Sequence, residues 1–341
     1  MDERWRWRQH MRAVRYTRTG PAREVLEQVD LPVPEPGYRE VRVRVHASGV
    51  NPADVKRRSG WGRITLDTPY LIPHDDGAGV VDAVGPGVAG VHKGDRVWVF
   101  DARLGRQTGT AAEYVCVPDI KVEPLPASVD FATGASLGIP GRTAHRCLFT
   151  DGPIDGATVL VAGAAGSVGH SAVQQARLSG ARVIGTVGRE ENRKVALDAG
   201  CDHVIDYRSD RIADELLELT DGHGFDRIVE VDAAANIDTD SRVIATNGTI
   251  AVYATDSGHA PKLPLWRLMN KSVNLRNVLL YNLPHHEHRL AADDLNRWIA
   301  AGDLTPRIGR RFCLQNTAAA HEAVEAGTGA GNVVVDIAAP A

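Results

Sequence analysis

The stretch from Thr158 to Gly188, TVLVAGAAGSVGHSAVQQARLSGARVIGTVG, constrains the fold more than any other part of the chain. It starts as a buried apolar strand and breaks at Gly163, Gly166 and Gly169. From about Ser167 it continues with Val168, Ala172, Val173 and Ala176 at helical spacing, and it closes on a second apolar strand. A strand, a tight turn, a helix and a second strand make one βαβ unit, which requires the two strands to lie parallel. Glycines at such a turn let the backbone approach a pyrophosphate, whose charge the helix N-terminus stabilises. Gly163, Gly166, Ser167, Val168 and Gly169 are therefore expected to contact a dinucleotide.

The alternation continues downstream. RKVALDAGCDHVIDY gives a helix and a short strand, IADELLELT a helix, and FDRIVEVDA a strand. DSRVIATNGTIAVYA adds another helix-to-strand step and SVNLRNVLLYNL a further strand, so the pattern predicts a doubly wound parallel sheet. Upstream the period is different. In EVRVRVHASGV, Val41, Val43 and Val45 point one way and the arginines the other. GAGVVDAVGPGV, KGDRVWVF and AAEYVCVP add strands between glycine turns, a β-barrel pattern. After Pro284 a helix, HRLAADDLNRWIAAG, leads to a closing strand, NVVVDIA. The expected organisation is a lead-in at 1–10, a β domain from 11–137 and 284–341, and a nucleotide-binding domain at 138–283.

Composition narrows the function. A net charge of -4 with 5% aromatic residues gives neither the basic surface nor the stacking platform expected of a nucleic-acid binder. No apolar run approaches the ~20 residues of a membrane span. The opening MDERWRWRQH lacks the apolar core of a secretory leader. The four cysteines show no C-x-x-C spacing and suit free thiols, so a cytoplasmic location is expected.

The end of the second strand bears on which dinucleotide binds. NAD-binding chains place a carboxylate there to hold the ribose hydroxyls. Here Val187 takes that position, Arg189 follows, and Arg193 and Lys194 stand one helical turn on. Loss of the acid and gain of cations favour a 2′-phosphate, hence NADPH.

Taken in order, ASGVNPADVKRRSG, GAGVVDAVGPGV, KGDRVWVF, AAEYVCVP, GIPGRTAHRCL, VLVAGAAGSVG, AGCDHVIDYR and NGTIAV resemble the medium-chain dehydrogenase/reductase superfamily. The branch is the zinc-independent, ζ-crystallin-like quinone oxidoreductases, and the likeness runs from Met11 to Ile337. The resemblance implies an α/β protein with a GroES-like β-barrel catalytic domain and a Rossmann doubly wound domain. It further implies an active site in the interdomain cleft and a homodimer paired through the edge strand VNLRNVLLYN.

Zinc-dependent members hold the catalytic metal at positions matched here by Asn51, Asp75 and Ile139, with His74 displaced by one residue. An amide, a carboxylate and an alkyl side chain do not make a tetrahedral zinc site. The family's four-cysteine structural zinc lobe is missing too, since DARLGRQTGTAAEY holds no cysteine. Asp75 and Asp76 are expected instead to hydrogen-bond backbone or side chains such as Lys56, and His74 to be a turn residue. The resemblance makes Asn51 a donor to the substrate carbonyl or nicotinamide ribose, and Thr143 a neighbour of the nicotinamide. Lys56 and Gly141 depart from the frequent Tyr and larger residue of relatives. Lys56 could donate a hydrogen bond or proton to a developing oxyanion. Gly188, Arg189, Arg193, Tyr207, Val252, Tyr253 and Asn332 are carried over as further cofactor contacts.

The expected reaction is NADPH-dependent reduction of a quinone. The alternatives are an enoyl or 2-alkenal reductase and a nucleotide-binding protein without catalysis. The His285–His288 run, HHEH, opens a helix and is expected to hold no metal; the cysteines are expected as small buried apolar groups.

Overall fold

The computed structural model describes residues 10–61, 66–327 and 329–337, so all of the expected lead-in but His10 lies outside the described residues. The chain divides into two units, residues 1–139 with 294–341 and residues 140–293.

In the first unit β1 (His10–Arg15) pairs antiparallel with β2 (Glu27–Pro32). β3 (Glu40–Val50), β4 (Asp76–Val84), β5 (Arg96–Val99), β6 (Tyr114–Pro118) and β7 (Val122–Pro124) follow, with helices α1 (Ala22–Val25), α2 (Pro52–Ser59) and α3 (Phe131–Gly134) between and after them. The period-2 pattern of β3 works as written in the sequence: Val41, Val43 and Val45 are buried while Arg44 is exposed. Their methyls join Ile72, Val81, Val97, Val99, Val115 and Val117 in one core.

The second unit begins on α4 (Ile139–Phe149) and alternates strand and helix. Its elements are β8 (Thr158–Val161), α5 (Ser167–Leu178), β9 (Arg182–Val187), α6 (Glu190–Asp198), β10 (His203–Asp206), α7 (Ile212–Glu218), β11 (Phe225–Glu230), α8 (Ala233–Val243), β12 (Ile244–Val252), α9 (Leu265–Asn270) and β13 (Asn274–Asn277). The six strands form one sheet in the order β10-β9-β8-β11-β12-β13, every pair parallel. The order reverses between β8 and β11, the place where doubly wound sheets bind their ligands. Leu160, Ile184, Ile228 and Ile250 fill the core with Leu216 and Phe225. The edge strand is shorter than VNLRNVLLYN suggested: after Asn277 the chain gives one more bond, Val278 N–H to Val252 O, and turns into a 3₁₀ segment at Leu280–Asn282.

α10 (His285–Ala301) leads back to the first unit, where β14 (Ile308–Cys313), α11 (Thr317–Glu325) and β15 (Asn332–Asp336) complete the sheet. Its order is β14-β15-β3-β4-β5-β7, with β6 also on β3. β3 changes partner along one edge. Glu40–Arg44 pair with β6 and Ala47–Val50 with β15, while the other edge stays on β4. β14 and α11 escape the sequence reading because β14 is an outer strand carrying Arg310 and Arg311, with no clean alternation to mark it. No helix among the described residues is long and apolar enough to cross a membrane.

Candidate active site

β3 ends at Val50, and Asn51 caps α2, with Pro52 supplying the fixed φ suited to a first helical residue. The Asn51 N–H donates to Asp54 Oδ2 at 2.9 Å, the return half of an N-terminal cap. Asn51 is buried, and its Nδ2 donates to Asp76 Oδ2 at 2.8 Å. Ile139 N–H donates to the same oxygen at 2.8 Å. Asn51 Nδ2 and the Ile139 N–H thus share Oδ2 as acceptor, with the Asn51 amide nitrogen inward. Asp76 Oδ1 is buried with no hydrogen-bond partner among the described residues. It packs on Gly138, where a Cβ would come within 2.0 Å of it.

Two neighbouring carboxyls crowd this group. Asp75 Oδ1 accepts from Arg103 N at 3.1 Å, and Oδ2 lies 3.5 Å from Arg57 Nη1. Arg103 and Arg57 are thus cations beside Asp75. Burial, with Asp75 nearby, pushes Asp54 up to about 7 against the pull of the Asn51 N–H, Arg57 and Arg103. Asp76 rises well above the carboxylate range, chiefly by burial and further by Asp54 and Asp75. Lys56 is half-buried on α2, its Nζ 5.0 Å from the Trp61 ring centre.

His74 corrects the expectation of a plain turn residue. Its backbone is left-handed, φ 78°, yet its ring is fully buried in a polar chain. Thr110 Oγ1 donates to Asp76 O at 2.5 Å, so Ser48 Oγ, 2.7 Å away, must donate to Thr110. Ser48 Oγ then accepts from His74 Nδ1 at 2.7 Å, which leaves His74 Nε2 to accept from His321 Nε2 at 3.0 Å. His321 Nδ1 ends the chain, buried and without a hydrogen-bond partner among the described residues. Burial pulls His74 down to about 3. Burial, then His74 and Arg58, pull His321 well below its usual value.

This donor set does not fit a metal. Two of the three positions where a zinc ligand would stand, Asn51 and Ile139, present N–H groups to a carboxyl oxygen, and donors cannot ligate a cation. No three His, Cys, Asp or Glu side chains among the described residues are grouped to hold one.

In the second unit the glycine turn fits a dinucleotide. Gly163 has φ 67°, and Gly166 caps α5, which starts at Ser167 and continues through Val168. A Cβ on Gly169 would lie 2.2 Å from Gly163 O, so the turn can close this tightly only on glycine. Ala164 N–H donates to Thr186 O at 2.9 Å and Gly163 N–H to Thr186 Oγ1 at 3.3 Å, tying the turn to β9. Val187 ends β9, buried, and the half-exposed Tyr207 ring packs on Gly188, where a Cβ would meet Cε1 at 2.5 Å. Arg189, exposed, caps α6.

The other two cations of the sequence argument are engaged locally. Arg193 donates to Val204 O and to Glu190 Oε2, and Lys194 Nζ pairs with Asp198 at 2.9 Å. Val252 closes β12, and Tyr253 N–H donates to Glu230 O at 3.1 Å. Thr143 is buried on α4. Asn332 belongs to the first unit, where its Nδ2 donates to Arg307 O at 3.0 Å. Three cysteines, Cys116, Cys147 and Cys201, are buried, and burial pushes each thiol up to about 12.

Comparison with known proteins gives a consistent picture. Residues 37–127 match the alcohol dehydrogenase GroES-like domain, and 167–297 match the zinc-binding dehydrogenase family. The human quinone oxidoreductase is 35% identical over 322 residues, covering 94% of this chain and 95% of that protein. A mycobacterial protein solved in complex with NADPH is 33% identical with a TM-score of 0.86, over 96% of this chain and 100% of that one. The Escherichia coli quinone oxidoreductase, also solved with NADPH, is 26% identical with a TM-score of 0.85, covering 96% and 100%.

Proposed function

Because the chain belongs to the quinone oxidoreductase family of the medium-chain dehydrogenases/reductases, we propose that it is an NADPH-dependent quinone reductase. One observation carries the reading: the glycine turn is intact, while two of the three metal-ligand positions of the dehydrogenase relatives present N–H donors to a carboxyl group. Bound NADPH supplies a hydride, and a quinone plus that hydride and one proton gives the quinol. The chain's own task is to orient the acceptor and to meet the charge that develops on its oxygen.

In this reading Asn51, with one Nδ2 hydrogen on Asp76, offers the second to the acceptor carbonyl or the nicotinamide ribose. Lys56 donates toward the developing oxyanion, and Thr143 lines the nicotinamide. Gly163, Gly166, Ser167, Val168 and Gly169 take the pyrophosphate. Gly188, Arg189 and Tyr207 surround the 2′-phosphate, with Arg193 and Lys194 held nearby on α6 by local partners. Val252 and Tyr253 border the nicotinamide. The first unit is then the catalytic domain and the second the NADPH-binding domain. A cytoplasmic setting accords with the free thiols. A homodimer through β13 accords with the exposed Leu265, Trp266, Met269 and Leu279 around that edge.

The test is NADPH oxidation with 1,4-benzoquinone and 1,2-naphthoquinone against a 2-alkenal and a 2-enoyl thioester. Quinone turnover with NADPH preferred over NADH is expected, and Asn51→Ala is expected to lower kcat about 10- to 100-fold. Faster turnover of the alkenal or thioester would make the chain an enone reductase. Tight NADPH binding with no turnover of any acceptor would sink the enzyme reading.

A further inference from the structure

Asp76 shares its Oδ2 between two N–H donors, the Asn51 side chain and the Ile139 backbone, each at 2.8 Å. The Ile139 bond belongs to the main chain at the start of α4 and anchors the carboxyl independently of Asn51. The wall on the other side is Gly138, which has no side chain and leaves room for Oδ1. Thr110 holds the backbone of the same residue through Asp76 O. The carboxyl is thus fixed on three sides before it meets Asn51. A buried amide is free to turn over unless its neighbours distinguish nitrogen from oxygen. At Asn51 the Asp54 N–H faces the side-chain oxygen across the cap of α2, and Asp76 takes the nitrogen.

From this we infer that Asp76 is the positioning residue of the site. It locks the Asn51 amide nitrogen-inward, so that the second Nδ2 hydrogen and Oδ1 take one fixed arrangement. The inference rests on the reading of Asn51 as the residue that meets the acceptor or the nicotinamide ribose. Asp76 is fully buried and acts only through Asn51. The function asked of it is that of an acceptor, which an amide oxygen fills equally well. The two donors, Asn51 and Ile139, require an oxygen at this point and do not require a charge.

The experiment is a double-mutant cycle on the full chain, read as kcat and KM for 1,4-benzoquinone and as NADPH affinity by fluorescence titration. Asp76→Asn, which can turn its carbonyl to the two N–H groups, is expected to keep kcat within about threefold of wild type. Asp76→Ala removes the acceptor and is expected to lower kcat about 10- to 100-fold. Combined with Asn51→Ala, it should add nothing to the loss that Asn51→Ala causes alone. If Asp76→Ala fails to fold, Asp76→Ser replaces it in the same cycle, because its short hydroxyl cannot bridge both donors. Additive losses in the double variant, or wild-type kcat in Asp76→Ala, would overturn the inference while leaving Asn51 in place. Wild-type kcat in Asn51→Ala would remove the reading of Asn51 itself and the inference with it.

Discussion

His74 and His321 stack with ring centres 5.2 Å apart and share a hydrogen bond deep in the first unit. Their titration has a definite sign. The unfolded chain protonates both below about pH 6.5, its reference value. The folded chain holds His74 neutral down to about 3 and His321 neutral well below its usual range. The pair's contribution to stability is therefore complete above about pH 6.5 and is lost as pH falls through that window toward 3. Asp54 and Asp76 act in the opposite sense. Both are raised, so the unfolded chain ionises them first and stability falls as pH rises from about 4 toward 7. His321→Gln keeps a donor for His74 Nε2 and removes one titrating group. Urea unfolding between pH 7 and 5 should then lose stability less steeply than wild type, by at most about 1.4 kcal/mol per pH unit. Identical slopes would show that folding leaves the His321 titration unshifted, against the burial argument.

At the scale of elements, the turn from β8 into α5 is the most demanding piece of backbone. The Gly169→Ala methyl would meet Gly163 O at 2.2 Å and Ala164 Cα at 3.0 Å, and both are backbone atoms that cannot rotate away. The expected cost is about 1–3 kcal/mol with weaker NADPH binding. Gly166→Ala, whose nearest atom would be at 3.3 Å, should cost less. Thermal melting and an NADPH titration on both variants check the order, and equal behaviour would contradict it. This turn was legible in the sequence because its glycines, strand and helix lie within one short stretch, where periodicity and sterics are local. β13 was legible as a strand but not in length, since its end is set by pairing with β12. The convergence on Asp76 was not legible. Asn51 lies 25 residues away and Ile139 63, and His321 is 247 residues from His74, separations that no periodic pattern records. The sequence picked out two of the three positions at this point by likeness to zinc ligands. It could not show that an aspartate had turned inward between them.

At the scale of the whole molecule, several large apolar side chains near β13 in the chain are exposed on the second unit. Leu265 is 60% exposed, Trp266 73%, Met269 59% and Leu279 54%, beside the last strand of the sheet. In the dimer proposed above, a second copy would cover these side chains through a two-fold axis. Light scattering on the purified chain should give twice the monomer mass, and Trp266→Glu should shift it toward the monomer. A wild-type chain that runs as a monomer would rule the dimer out. The pairing of β3 with β15 carries one more consequence. Val50, the residue before Asn51, finds its partner at Val333, close to the end of the chain. On a ribosome moving at about 5–20 residues per second, that edge waits on the order of tens of seconds. Residues 140–293 emerge in the interval with all six of their strands and can fold first. Until then the edge of β3 that leads into Asn51 lacks its β15 partner, and it is there that a chaperone would find an open β edge.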